Sequence, residues 1–346
     1  MPEVFKPKDS VEVLLHLHGF GSGYREMTRS GSDYGGVLKA GETRDEDLYQ
    51  LPEQLAASMK TPGRQVIAVL PQGRGSGSGE MFGNLAGDPS AYLDEVFQAL
   101  KTQKVISDLP SSYQVVLTGH SGAGPEVLSA AKALEKKPTS GSDAKNFGGL
   151  SEVVMFDAIN GTNELSAVET WLTAHIASDV LLLKAQKTHS DAEMKKFYTG
   201  RTRFRGYFTH GYKGLYGDDT GLRKWLTAQL GTQGAELDAT AQKWLAWQYR
   251  VIGPIGPVPT EKDPFGPHEH LLSSQNDSKK AGLLDEVLVG AEGDVFHENS
   301  VHENSVDGGC AQVVGCQQLI TPFGPILNSG RVLPHEGSFW GFVNRR

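Results

Sequence analysis

Between Gln114 and Lys136 the chain reads QVVLTGHSGAGPEVLSAAKALEK, and this stretch constrains the fold more than any other. A run of apolar, β-branched residues meets a cluster of small residues, and a helical pattern starts at once, with Pro125 where a first helical turn accepts it. A strand that feeds straight into a helix has no hairpin partner next to it in sequence. It belongs to a βαβ unit and therefore to a parallel sheet.

The same alternation recurs along the chain. Strand-like runs at Val11–Leu17, Gln65–Leu70, Gln114–Thr118, Glu152–Phe156, Arg203–Phe208 and Gln248–Ile252 predict six strands. Helical patterns fall between them: Asp45–Met59, Tyr92–Lys101, Pro125–Lys137, Glu164–Lys196 (read as more than one helix), Thr220–Leu230 and Leu237–Trp247. Pro138–Gly149 reads as a linker. The expected class is α/β, with a mostly parallel central sheet flanked by helices. Residues 1–290 are expected to form the main domain, with 180–247 contributing to a lid or cap. Beyond Gly290 turn residues dominate, so 291–346 is expected to be an irregular or β-rich extension. That segment holds a duplication, HENSV at His297–Val301 and again at His302–Val306, which is too short for a solenoid.

Composition matters chiefly for what it excludes and where glycine falls. Against 33 basic residues stand 41 acidic ones, a net charge of −8 with no basic cluster, which argues against nucleic-acid binding. No apolar run reaches the roughly 18 residues of a membrane span. The first ten residues lack the basic-then-apolar order of a signal peptide. The expectation is a cytoplasmic protein, or a mature or truncated form of an exported one. Cys310 and Cys316 are the two cysteines; their spacing suits a small disulfide loop but does not decide the redox compartment. Glycine is abundant, 42 of 346 residues, and sixteen of these lie in 19–41, 73–87 and 119–124. Each window follows one of the first three strands, at the sheet edge where α/β proteins build sites.

Leu117–Gly124 (LTGHSGAG) supplies the candidate chemistry. A sharp strand-to-helix turn forces a serine into a strained backbone and projects its hydroxyl beyond the sheet, while the helix start adds a positive field. Ser121 is the candidate nucleophile. In G-x-S-x-G the second glycine falls two residues after the serine; here that position is Ala123, with glycine at 124. A serine needs a base, and the base an orienting carboxylate. Asp157, at the end of the fourth run, is the leading acid, ahead of Asp218, Asp219 and Asp191. His268 in the loop after the last run is the leading base, with His270 and His335 as alternatives.

Together, His16-Leu17-His18-Gly19-Phe20-Gly21 after the first strand, the Ser121 turn and a late histidine resemble the α/β-hydrolase superfamily over residues 11–275, in family order. About ten residues precede the first strand, so the sheet is expected to start late, as in compact members. The resemblance implies an oxyanion hole from the N–H of Gly122 and that of Phe20 or Gly21. It implies a serine esterase or lipase-like enzyme acting on a small-molecule or polymeric ester, without metal or organic cofactor. An amidase or peptidase with the same triad, and a catalytically idle binding protein on the same scaffold, are the rival expectations. His16 and His18 lie two apart on a strand, but no carboxylate or cysteine cluster completes a metal site. The Gln72–Gly79 loop lacks the Gly-Lys-Ser/Thr ending of a phosphate loop and reads as a flexible rim.

Overall fold

The computed structural model describes residues 7, 10–17, 19, 66–71, 82–136, 147–209 and 219–255. Within them, every predicted strand forms: β1 (Ser10–Leu17), β2 (Val66–Val69), β3 (Ser112–His120), β4 (Phe147–Phe156), β5 (Arg203–Thr209) and β6 (Tyr249–Ile255). They make one sheet in the order β2-β1-β3-β4-β5-β6, and each neighbouring pair is parallel. The central strands are buried nearly throughout, as parallel strands covered on both faces must be.

Two strands, β4 and β6, extend by three or more residues beyond one of their predicted ends. β4 begins at Phe147, inside the stretch read as linker, because Gly148 and Gly149 are absorbed into strand irregularities opposite Tyr113 and Gln114. β6 continues through Gly253 and Pro254 to Ile255. It lies at one margin of the sheet, where proline's missing N–H breaks no ladder.

The helices are α1 (Pro89–Thr102), α2 (Gly124–Glu135), α3 (Thr162–Ala185), α4 (Asp191–Tyr198), α5 (Asp219–Gln233) and α6 (Ala239–Gln248). The long helical stretch after β4 is split at Gln186–Ser190. There Ser190 and Glu193 form a reciprocal capping box that starts α4. Three helices pack on the same sheet face: Phe97 of α1 meets Tyr113, Val127 of α2 lies over Gly119, and Trp171 of α3 meets Phe204. Strand periodicity puts His16, Thr118, Phe156 and Tyr207 on the opposite face, where the last two rings stack at 5.3 Å. No described helix is long and apolar enough to cross a membrane.

From β1 the chain moves outward to β2, whereas from β3 it moves the other way, to β4. The order of winding therefore reverses between the adjacent strands β1 and β3. In an open α/β sheet the crevice beyond the carboxyl ends at such a reversal is where ligands bind.

Candidate functional site

Ser121 lies at that reversal, immediately after β3. It is one of three described non-glycine residues with positive φ, at 52°. A left-handed backbone at a residue with a Cβ costs about 1–2 kcal/mol, so the turn is held by its surroundings. Small neighbours let it close. A Cβ at Gly119 would stand 2.3 Å from Val127 Cγ2, and one at Gly124 would stand 1.8 Å from the carbonyl oxygen of Ala158. Gly124 thus lets the start of α2 press against the loop after β4. That close approach explains a glycine at 124, one place later than in the usual motif. Ala123 is fully buried.

Gly19, two residues after β1, lies directly on the elbow. A Cβ at Gly19 would come within 2.8 Å of Ser121 Cβ and 3.3 Å of both His120 Nδ1 and the His120 carbonyl oxygen. Gly19, which opens the first glycine window, thus meets the third. Behind the elbow, a short 3-10 turn (Ser121–Ala123) runs into α2, and neither has a side-chain N-cap. Helices α1, α4 and α6 are capped by Asp88, Ser190 and Asp238. The first N–H groups of the Ser121 turn are not taken by such a cap, which suits an anion-binding role.

Asp157 follows β4 as Ser121 follows β3. Their preceding residues, His120 and Phe156, are register partners, so the two candidates stand side by side on neighbouring strands. Asp157 also has positive φ, 45°, and is completely buried. Its carboxylate accepts two hydrogen bonds from Thr209 at the end of β5, from the backbone N–H at 2.7 Å and the hydroxyl at 2.6 Å. Its own N–H donates to the Tyr207 carbonyl at 2.9 Å. The acid is thereby clamped to β5 in a fixed orientation.

Further polar residues surround the elbow. Buried His16 shares a 2.7 Å hydrogen bond between Nδ1 and Thr118 Oγ1, across β1 and β3. Buried His120 precedes the serine. Asn160 donates from Nδ2 to the Ser121 carbonyl at 3.0 Å, and its own N–H donates to Glu164 Oε2 at 2.6 Å. Nothing in the sequence marked Asn160 or Thr209, because their partners lie 39 and 52 residues away. Among the described residues no hydrogen bond reaches Ser121 Oγ, and no three metal-ligating side chains converge.

Of the predicted site residues, Ser121, Gly122 and Asp157 are brought together. Asp191 heads α4, where its carboxylate accepts from the Trp244 indole at 2.8 Å. His268, His270, His335, Phe20, Gly21, His18 and Asp218 lie outside the described residues, as do Cys310, Cys316 and the segment 291–346. Within 180–247, Tyr198 and Trp244 stack at 6.1 Å and Trp244 meets Trp247 edge-on at 5.3 Å; Phe208 is fully buried.

No protein-family model, no curated protein and no solved structure matches this chain.

Proposed function

We propose that the protein is a serine hydrolase of the α/β-hydrolase type that cleaves carboxylic esters through an acyl-enzyme on Ser121. The observation that carries this reading is the elbow itself: a buried serine at φ 52° beyond the carboxyl end of β3, with Gly19 against it. A chain keeps a serine in that strained conformation, rather than a glycine, where the hydroxyl has a task.

In the proposed reaction Ser121 Oγ attacks the acyl carbon while its proton passes to His268. The carbonyl electrons collect on oxygen, facing the N–H of Gly122 and that of Phe20 or Gly21. The C–O bond to the alcohol then breaks, and the alcohol leaves with the proton from the imidazolium. Water repeats the sequence on the acyl-enzyme and releases the acid. Asp157, already oriented by Thr209, holds the imidazole. Neither metal nor organic cofactor has a part in this scheme.

Turnover of p-nitrophenyl esters by the wild type, and its loss in Ser121→Ala, tests the reading; equal background rates in both would refute it. Paired ester and anilide substrates then separate an esterase from an amidase, the ester being the faster substrate on this reading.

A further inference from the structure

We infer that Asn160 is a positioning residue for the oxyanion donor, acting through the Ser121–Gly122 peptide plane. The inference rests on the hydrolase reading and adds to it a residue that touches neither substrate nor the reacting atoms.

The carbonyl of Ser121 and the N–H of Gly122 belong to one rigid trans peptide and point in opposite directions. Whatever fixes the carbonyl therefore fixes the N–H. Asn160 Nδ2 donates to that carbonyl at 3.0 Å. A hydrogen bond at the oxygen also polarises the amide, making its N–H a stronger donor. Gly122 lies in the first turn of the helical segment, where N–H groups have no intrahelical acceptor, so its orientation needs such an outside hold.

Asn160 is itself held. Its backbone N–H donates to Glu164 Oε2 at 2.6 Å, tying it to the first turn of α3. Two residues earlier, Ala158 presses its carbonyl oxygen against Gly124. The short segment Asp157–Asn160 thus presents the candidate acid at one end and grips the nucleophile's peptide at the other. A line runs from Glu164 through Asn160 and the Ser121 carbonyl to the Gly122 N–H. The 3-10 turn also restrains this peptide, so removing the amide takes away one of its holds and the N–H aims less accurately where the oxyanion forms.

The test uses the full chain and the variants Asn160→Ala and Asn160→Asp, with ester turnover, affinity for an acyl trifluoromethyl ketone and thermal melting measured in parallel. The ketone forms a hemiketal on the serine and so reports oxyanion binding. The expected result is a fall in kcat of roughly 10- to 100-fold with KM little changed, and a proportional loss of ketone affinity. Asn160→Asp adds a second signature. Its carboxyl donates to the Ser121 carbonyl only when protonated, so the variant-to-wild-type rate ratio rises as pH falls. A purely structural asparagine would lower the melting temperature and leave the ratio flat with pH. Wild-type activity with unchanged kcat and ketone affinity in both variants overturns this inference alone. An inactive wild type that binds no ketone overturns the hydrolase reading with it.

Discussion

The carboxyl ends of the strands and the region around the start of β5 use buried polar groups in opposite ways. At the carboxyl ends, Ser121 and Asp157 hold positive φ; around them His16 shares a hydrogen bond with Thr118, and Thr209 and Asn160 donate to Asp157 and to the Ser121 carbonyl. Around the start of β5 the same sheet carries paired charges. Glu152 of β4 accepts from Arg203 at 2.9 and 2.8 Å and also pairs with Arg205, while Arg203 lies over the Trp247 ring at 4.6 Å. Nearby, buried Asp179 of α3 pairs with Arg201 and accepts from the Tyr249 hydroxyl at 2.7 Å. With His175 and Ser178 these groups line a cleft of about 300 Å³. One region spends conformational strain and the other satisfies its charges. Strain persists only where the surrounding structure over-determines it; on the proposed function the charge-paired region serves as the frame and the elbow as the working part.

Substitutions should separate the two. Glu152→Ala leaves Arg203 and Arg205 buried without their shared counter-charge and is expected to cost about 3–5 kcal/mol of stability, read by denaturant unfolding. A cost below about 1 kcal/mol would deny this region its role as frame. Gly124→Ala drives a Cβ into the Ala158 carbonyl; a loss of about 1–3 kcal/mol is expected, with ester turnover falling more steeply than stability because the elbow must shift. Ser121→Gly should have the opposite sign. Relief of the left-handed strain is worth about 1–2 kcal/mol, and the extra freedom of glycine in the unfolded chain returns about 0.5–1 of it. The net is a gain of about 0 to 1.5 kcal/mol, in a protein that is expected to have lost its ester turnover.

The smallest effect is a difference in pH dependence. Burial alone would raise the Glu152 carboxyl, but the charges of Arg203 and Arg205 outweigh it and hold the group below the usual carboxylate range. Its contribution to stability is present above the unfolded-state value and is lost as pH falls through the folded one. Asp179 goes the other way: burial outweighs its hydrogen bond from Tyr249 and the charge of Arg201, and its carboxyl is raised. The folded state then binds that proton more tightly, so acidification favours it. Between pH 7 and 4, the melting-temperature gap between wild type and Asp179→Asn should move in favour of the wild type. Against Glu152→Gln it should move the other way.

The two regions also differed in how far the sequence revealed them. Strand runs such as VEVLLHL and QVVLT are mostly apolar, and the Gly/Ser turn at 119–124 is local, so the parallel sheet and the elbow were both readable. Ser190 and Glu193 carry a readable capping signal that splits the long helical stretch. Gly148 and Gly149 hid the start of β4, since glycine and linker read alike until the neighbouring strand is in place. Asn160 and Thr209 carry no local pattern at all; their roles exist only once β3, β4 and β5 lie side by side. The charge network was equally silent, because a Glu on one strand and two Arg 51 and 53 residues later pair only through sheet register.

The most direct measurement is labelling of the folded full-length wild type with a fluorophosphonate, followed by peptide mass spectrometry. A strained and activated Ser121 predicts stoichiometric phosphonylation of its Oγ with loss of fluoride, abolished by prior unfolding and absent in Ser121→Ala. A folded protein whose Ser121 stays unlabelled, or label carried on another residue at the same rate in wild type and variant, would contradict it.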